Sequence, residues 1–253
     1  MTQQVTGRFV WFEYVSSEAA KAQGFFGELF GWGVKRVPMP TGDYAMIARG
    51  DDTIGGYLAP PAGAPAHAHW LSHLAVASAA DTATAVSAHG GKVLMAPFAV
   101  GEFGTMAVVA DPLGGPFALW QAAKPEGTGD YKDAPYSWCW NELYTDDVDR
   151  SLAFYQAVGG FVDDPMDMGP GGVYHVLATD GKGRAGIMKS PMPGIPQSWM
   201  PYVQVPDADA VIAKAKRLGA DVKLPPNDVP GVGRISVFTD PLGAAIGVLQ
   251  PPR

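Results

Sequence analysis

Alternating apolar and polar positions indicate short strands along the chain, and helical spacing interrupts them at regular intervals. The stretch "RFVWFEYV" alternates and is rich in aromatic and β-branched residues, which predicts a strand. Residues 17–30 follow with an apolar stripe of Phe and Leu at helical spacing, which predicts a helix. Three short strand candidates come next, around residues 34–37, in "YAMIA" and in "IGGYLA". The first pattern is therefore βαβββ.

The same pattern starts again near residue 70. "WLSHLAV" predicts a strand, and "ADTATAVSAHGG" predicts a helix that Gly90 and Gly91 end. "KVLMAP", "TMAVVA" and "FALWQ" predict three more strands. One βαβββ module would leave a sheet face bare, so we expect two modules to curl their sheets around a shared cleft. The pattern predicts the α+β class.

The second half of the chain repeats the first at a constant offset of 129 residues. Three anchors are Trp11 with Trp140, Trp70 with Trp199, and Asp111 of "DPLGGPFALWQ" with Asp240 of "DPLGAAIGVLQ". Agreement at three separate points is very improbable by chance, and repeats of this kind indicate duplicated units. We therefore predict two homologous domains, residues 1–121 and 136–253. The segment 122–135 carries Pro, Gly and charge without apolar periodicity, which predicts a linker.

Composition narrows the class of protein. The chain of 253 residues is 47% hydrophobic and 17% charged, with a net charge of −7. It has no dense Lys/Arg run, which argues against a nucleic-acid partner. It has no apolar run of membrane length and no signal-peptide pattern at its start, so we expect no membrane partner. The single cysteine, Cys139, excludes an internal disulfide and suggests a reducing compartment. We expect a cytoplasmic protein.

Two motifs and the duplication together carry a family resemblance. "FFGELFGW" stands at the end of the first helix, and "DPLG" precedes the last strand of each half. With the fourfold βαβββ pattern, the chain resembles the glyoxalase/bleomycin-resistance family, also called the vicinal oxygen chelate superfamily. The resemblance covers nearly the whole chain. It implies an α+β fold of two tandem domains, each with two βαβββ modules curling around a cleft.

The resemblance also implies where a metal would bind. Metal-dependent members carry a His or Gln on the first strand of a module and a Glu on the last strand, seven residues after the Asp of the "DP.G" turn. None of the six corresponding residues offers an imidazole, carboxylate or thiolate donor. These residues are Trp11, Leu71, Ala118, Trp140, Met200 and Gly247. We therefore expect no metal and no other cofactor.

Residues two further along the first strands are the best candidates for chemistry. Side chains two apart share a strand face, so Glu13 and His73 would face the cleft of the first domain. Glu142 and Tyr202 would face that of the second. Glu13 and His73 could form a general acid–base pair, and Glu142 with Tyr202 could bind a substrate hydroxyl or amine. Alternatively, each inward Glu only accepts hydrogen bonds from the backbone and a Tyr and orders the barrel.

Tryptophan residues could line the same clefts. Trp11, Trp120 and Trp140 would suit a flat or cationic substrate, although core packing is a common alternative for such residues.

The remaining histidines and the cysteine have simpler interpretations. "HAHWLSH" looks like a metal cluster, but His67 and His69 are expected in a solvated Pro/Ala-rich loop. His175 is expected to face solvent, and Cys139 is expected to be a buried, inert thiol.

Two functions remain open at this point. The first is a glyoxalase-like lyase or isomerase that converts a small oxygenated metabolite with Glu13 and His73. The second is a binding protein that sequesters a cationic aromatic compound without turnover, as drug-sequestering members of the family do. A protein-interaction or structural role ranks last. In the first two cases the partner is a small molecule. The two fused domains could pair as a pseudo-dimer, so we expect a monomer or a weak homodimer.

Overall fold

The structure is a computed structural model. It describes residues 6–39, 42–61, 67–124, 131–191 and 197–252. Within these ranges the order βαβββ occurs four times, which confirms the α+β class. Part of the predicted linker, residues 125–130, lies outside the described residues. No helix within the described ranges is long and apolar enough to cross a membrane.

The first half of the chain forms two modules. The first consists of β1 (Arg8–Val15), α1 (Ala19–Phe30), β2 (Gly33–Val37), β3 (Tyr44–Arg49) and β4 (Asp52–Leu58). The second consists of β5 (His69–Ala75), α2 (Ala79–Ala88), β6 (Lys92–Val100), β7 (Gly104–Ala110) and β8 (Pro116–Ala122). Their strands form one eight-stranded sheet in the order β2-β3-β4-β1-β5-β8-β7-β6.

The second half forms the third and fourth modules. The third consists of β9 (Trp138–Thr145), α3 (Val148–Gly159), β10 (Val162–Asp167), a 3-10 turn (Gly169–Gly171), β11 (Val173–Thr179) and β12 (Lys182–Lys189). The fourth consists of β13 (Ser198–Gln204), α4 (Ala208–Arg217), β14 (Asp221–Val229), β15 (Gly233–Thr239) and β16 (Ala245–Gln250). The order of the second sheet, β10-β11-β12-β9-β13-β16-β15-β14, matches that of the first.

Compact packing groups the modules in a different way from the sheets. The first unit comprises Met1–Val10, Leu71–Asp130 and Trp140–Trp199. The second unit comprises Trp11–Trp70, Tyr131–Cys139 and Met200–Arg253. Each unit therefore combines one module from each half of the chain. The domain boundaries at 1–121 and 136–253 stay a prediction.

Aromatic side chains fill the core of the second unit. The Trp70 ring lies 5.1 Å from the Tyr14 ring and 5.1 Å from the Trp138 ring, and all three side chains are at most 5% exposed. In the first unit, Trp199 packs against Tyr155, with ring centroids 5.1 Å apart. On β1 the core takes up Phe12 and Tyr14 and leaves the alternate residues for the other face.

The first "DPLG" turn is built around a buried carboxylate. Asp111 accepts backbone N–H bonds from Leu113 and Gly115, both at 2.9 Å, which closes the turn. Its second oxygen accepts from the Tyr155 hydroxyl at 3.0 Å and from the Gln197 amide. The shape of the turn thus follows from the need to give a buried carboxyl group hydrogen-bond partners.

The second turn repeats this arrangement. Asp240 accepts from the backbone N–H groups of Leu242 at 2.9 Å and Ala244 at 3.0 Å. Here the hydroxyl of Tyr14 donates to the second oxygen. Both copies of "DPLG" therefore serve the fold, each as the turn into the last strand of its half.

Candidate functional site

Strand β1 separates core residues from candidate site residues by simple alternation. Phe12 and Tyr14 point into the core and are 1% and 0% exposed. Trp11 and Glu13 lie on the other face, and Glu13 is 6% exposed. β1 pairs in parallel with β4, so that Glu13 stands opposite Gly56.

A tyrosine from β3 reaches across to this carboxylate. The Tyr44 hydroxyl donates a hydrogen bond to Glu13 Oε1 at 2.7 Å and accepts one from Trp11 Nε1 at 3.0 Å. A Cβ atom at Gly56 would lie 1.9 Å from the Tyr44 hydroxyl oxygen. The hydroxyl therefore occupies the space that any side chain at position 56 would need. We call Trp11, Tyr44 and Glu13 the first network.

The third module repeats this arrangement with the same residue types. The Tyr174 hydroxyl donates to Glu142 Oε2 at 2.8 Å and accepts from Trp140 Nε1 at 2.7 Å. Glu142 stands opposite Gly186 on β12, and a Cβ there would again lie 1.9 Å from the tyrosine oxygen. We call Trp140, Tyr174 and Glu142 the second network.

Both tyrosines are held as hydrogen-bond donors. Burial, reinforced by the charge of Glu13, raises the pKa of Tyr44 well above its ordinary value. Burial and the charge of Glu142 raise the pKa of Tyr174 in the same way. The phenols therefore keep their protons at physiological pH and direct them at the carboxylates. The arrangement can fix the orientation of each carboxylate toward a bound ligand.

Sequence reasoning missed the two tyrosines. Tyr174 follows Tyr44 by 130 residues, whereas Glu142 follows Glu13 by 129, so the pair falls out of the main register. The available signal was a Tyr near the start of a strand candidate in both halves, in "DYAMI" and "VYHVL". The Tyr–Glu bonds are the contacts expected from the structural interpretation of the inward Glu residues, and they are equally suited to orienting a binding group.

The other two candidate residues, His73 and Tyr202, pair with the last-strand positions at which metal-dependent members carry a Glu. His73 on β5 is 3% exposed and pairs with Ala118 on β8. Tyr202 on β13 is 2% exposed and pairs with Gly247 on β16, where a Cβ would lie 2.3 Å from the tyrosine ring. Small residues therefore take the last-strand positions next to both side chains.

The predicted pairs combine residues of different compact units. Glu13 and Tyr202 belong to the second unit, and His73 and Glu142 belong to the first. The pairing of Glu13 with His73 and of Glu142 with Tyr202 stays a prediction.

Within the first unit, a buried hydrogen bond joins the two residues that precede His73 and Glu142. Ser72 Oγ donates to Asn141 Oδ1 at 3.2 Å, and both residues are 0% exposed. Because neighbours in a strand point to opposite faces, His73 and Glu142 point away from this contact. The imidazole of His73 and the carboxylate of Glu142 therefore lie on the faces of β5 and β9 that are turned away from the Ser72–Asn141 bond.

The residues present do not fit the divalent metal that the family resemblance implies. Among the described residues, no group of three or more His, Cys, Asp or Glu side chains could hold a metal ion. Ala118 and Gly247 supply no donor beside His73 and Tyr202. The side chains described above therefore act without a metal in the function proposed below. The expectation that the protein uses no cofactor stays a prediction.

The three candidate tryptophans are half-buried at strand faces. Trp120 on β8 lies two residues from Ala118, on the same face of the strand. A Cβ at Gly104 would lie 3.0 Å from two carbons of the Trp120 ring, so this indole lies against the sheet. Trp11 and Trp140 belong to the two networks. All three rings keep some exposure, which a ligand-contacting role requires.

Two expectations about other residues were wrong. His69 is the first residue of β5 and not part of a loop, and burial lowers its pKa. His175 does not simply face solvent, because its Nδ1 lies 3.0 Å from a carboxylate oxygen of Asp163. Cys139 is half-buried as a residue, and burial raises the pKa of its thiol to about 12, which keeps the thiol protonated as expected.

Comparison with known proteins places the chain in a family. Residues 140–248 match the model of the Glyoxalase/Bleomycin resistance protein/Dioxygenase superfamily. "Putative glyoxylase CFP32" of Mycobacterium tuberculosis (strain CDC 1551 / Oshkosh) is 36% identical over 245 residues, which cover 95% of this chain and 94% of that protein. The chain belongs to this superfamily. The resemblance inferred from the motifs and the duplication is confirmed.

Other members of the superfamily extend the comparison. "Anthracycline biosynthesis protein DnrV" of Streptomyces peucetius is 30% identical over 270 residues, covering 99% of this chain and 95% of that protein. The Mn(II)-bound glyoxalase from Novosphingobium aromaticivorans has a TM-score of 0.66 at 16% identity, over 98% of this chain and 83% of that one. The 2,3-dioxygenase LapB from Pseudomonas sp. KL28 has a TM-score of 0.65 at 12% identity, over 99% and 94%. These two structures show the fold alone.

Proposed function

We propose that the protein binds a small oxygenated metabolite at its Trp–Tyr–Glu networks. Glu13 and Glu142 would accept a hydrogen bond or a proton from a hydroxyl or amine of the ligand. The observation that carries this proposal is the repetition of the network in both halves, with hydrogen bonds of 2.7–3.0 Å in each copy. Both copies contain a Trp, a Tyr, a Glu and a facing Gly, although much of the sequence around them differs between the two halves.

The catalytic form of the proposal uses Glu13 as the general base. Glu13 would remove a proton from a carbon next to a carbonyl group and return it to the neighbouring atom, so that the ligand is isomerised without a net change in protons. Burial of the Glu13 side chain supports this role, because it strengthens the interaction of the carboxylate with a bound ligand. Tyr44 supports it by orienting the carboxylate.

A second candidate function is sequestration of a cationic aromatic compound without turnover. It is favoured by the half-buried indoles of Trp11 and Trp140, each hydrogen-bonded to the tyrosine that contacts a buried carboxylate. Indole faces and a carboxylate together suit a flat cation. The relative named for anthracycline biosynthesis also favours an aromatic ligand.

Glu→Gln variants separate these functions. With a panel of α-hydroxy ketones as candidate substrates, we expect E13Q to lower turnover by about 100-fold or more, because a general base is lost. With cationic aromatics, we expect binding without turnover that weakens in E13Q and E142Q. H175Q serves as a control, since it alters a half-buried histidine outside the networks. Unchanged turnover and binding in the E13Q/E142Q double variant would overturn the proposal.

A further inference from the structure

In the second network the Trp140 indole packs over a glycine of β12, Gly183. A Cβ at Gly183 would lie 3.3 Å from Cη2 of Trp140 and 2.9 Å from Cγ1 of Val176. The outer edge of the Trp140 indole therefore lies against the backbone of β12. Gly183 is exposed and Trp140 is half-buried, so this part of the sheet face meets solvent.

A β-bulge creates this arrangement. On β11 and β12, Leu177 pairs with Ala185 but the next residue, Ala178, pairs with Gly183. Arg184 is the extra residue, and the bulge brings Gly183 onto the face that Gly186 already occupies. We call Trp140, Tyr174, Val176, Gly183 and Gly186 the second floor, with Glu142 beside it.

The first network has the same bulge but a rougher floor. On β3 and β4, Ile47 pairs with Gly55 and Ala48 pairs with Thr53, so Ile54 is the extra residue. Thr53 takes the position of Gly183, and Met46 takes that of Val176. Two larger side chains thus stand where the second floor has a glycine and a valine.

We infer that the second floor is a stacking site for a planar aromatic ligand that carries a hydroxyl or amine group. The ring would stack on the half-buried Trp140 indole, whose outer edge lies over Gly183, and its polar group would reach Glu142. Thr53 and Met46 bar the same ring from the first network. This inference rests on the proposed function, because it takes Glu142 as the polar anchor.

The test uses two diols with the same carbon skeleton and the full chain. Naphthalene-1,5-diol is planar, and decahydronaphthalene-1,5-diol is its saturated, non-planar counterpart. By isothermal titration calorimetry we expect one site per chain for the aromatic diol and binding about tenfold tighter than for the saturated one, since only the planar ring can stack.

Reciprocal exchange between the two floors supplies matched variants. G183T places the threonine of the first network at the corresponding position of the second floor and is expected to weaken binding of naphthalene-1,5-diol by about tenfold or more, because the added side chain displaces Trp140. T53G/M46V copies the second floor onto the first and is expected to give two sites per chain. G183A provides a milder change if G183T does not fold.

Several results would overturn the inference. These are absence of binding by the aromatic diol, equal affinity for both diols, unchanged affinity in G183T or G183A, and a single site in a folded T53G/M46V variant. E142Q distinguishes this failure from failure of the proposed function. If E142Q loses both diols while G183T binds normally, the proposed function stands and the inference fails. If G183T loses binding while E142Q keeps it, the flat floor stands and the role of the carboxylate fails.

Discussion

At the residue scale, the defining feature is a buried glutamate held by a tyrosine from a distant strand. Tyr44 lies 31 residues beyond Glu13, and Tyr174 lies 32 residues beyond Glu142. A buried carboxylate without donors would destabilise the fold, so each Glu needs such a partner. The donor is itself supplied with a hydrogen bond by a Trp, which leaves the phenol proton directed at the carboxylate.

The tyrosines predict a distinct alkaline titration. Burial raises the pKa values of Tyr14, Tyr44, Tyr57, Tyr155 and Tyr174, which are five of the nine tyrosines in the sequence. An unfolded chain ionises its phenols near pH 10, so these five contribute stability below about pH 10 that is lost as the pH rises further. Absorbance at 295 nm should report at most four phenolates in the folded protein, and the rest should appear only with loss of circular dichroism.

A double variant checks the assignment of these phenols. In Y44F/Y174F the step that accompanies unfolding should shrink by two phenolates, while the early phase stays unchanged. Gradual ionisation of all nine tyrosines in the folded protein would contradict the prediction.

At the element scale, the repeated end of each half serves two structural purposes. The Asp of "DPLG" closes the turn, and the final Gln of each last strand supports a helix. Gln121 Oε1 accepts from the first backbone N–H of α2 at Ala79, and Gln250 Oε1 accepts from that of α4 at Ala208, both at 2.9 Å. The side chains thus satisfy N–H groups that a helix start leaves unpaired.

Removing either Gln should weaken the fold by a measurable amount. We expect Q121L and Q250L each to lower the free energy of unfolding by about 1 kcal/mol, because one helix N–H loses its acceptor. Urea unfolding measures the loss. Q121E and Q250E are the controls, since a carboxylate keeps an acceptor and suits a helix N-terminus. Equal losses in the Leu and Glu variants would contradict this role.

The phenols that serve the two "DPLG" turns come from different elements. Tyr155 on α3 aligns with Phe26 on α1, and Tyr14 on β1 aligns with Leu143 on β9. Each half therefore has a Tyr at only one of these two aligned positions. The hydroxyl of each Tyr still donates a hydrogen bond to one of the two buried Asp side chains. Each buried carboxylate needs a hydrogen-bond donor, but the element that supplies this donor differs between the two turns.

At the scale of the whole molecule, each compact unit needs both halves of the chain. Asp111 meets Tyr155 in the first unit, and Tyr14 meets Asp240 in the second. These contacts join residues from modules that the sequence places in different halves.

Splitting the chain tests this organisation. We expect residues 1–124 and 131–253, expressed together as separate chains, to form a 1:1 complex, because each unit buries core residues from both. Size-exclusion chromatography with mass measurement would detect it. D240N/D111N should weaken the association relative to the unaltered fragments. Two folded, separate monomers would contradict the prediction and would favour domains at 1–121 and 136–253.

The sequence alone determined the duplication, the α+β class, the βαβββ order and the strand face that Glu13 shares with Trp11 and Glu142 shares with Trp140, because period and repetition are local properties of the chain. Only the tertiary structure decided which side chains reach those carboxylates. Strand pairing, a bulge and a facing glycine bring Tyr44 and Tyr174 into place, and none of these has a local signature. The tertiary structure also decided the makeup of the compact units, because their cores form between modules far apart in sequence.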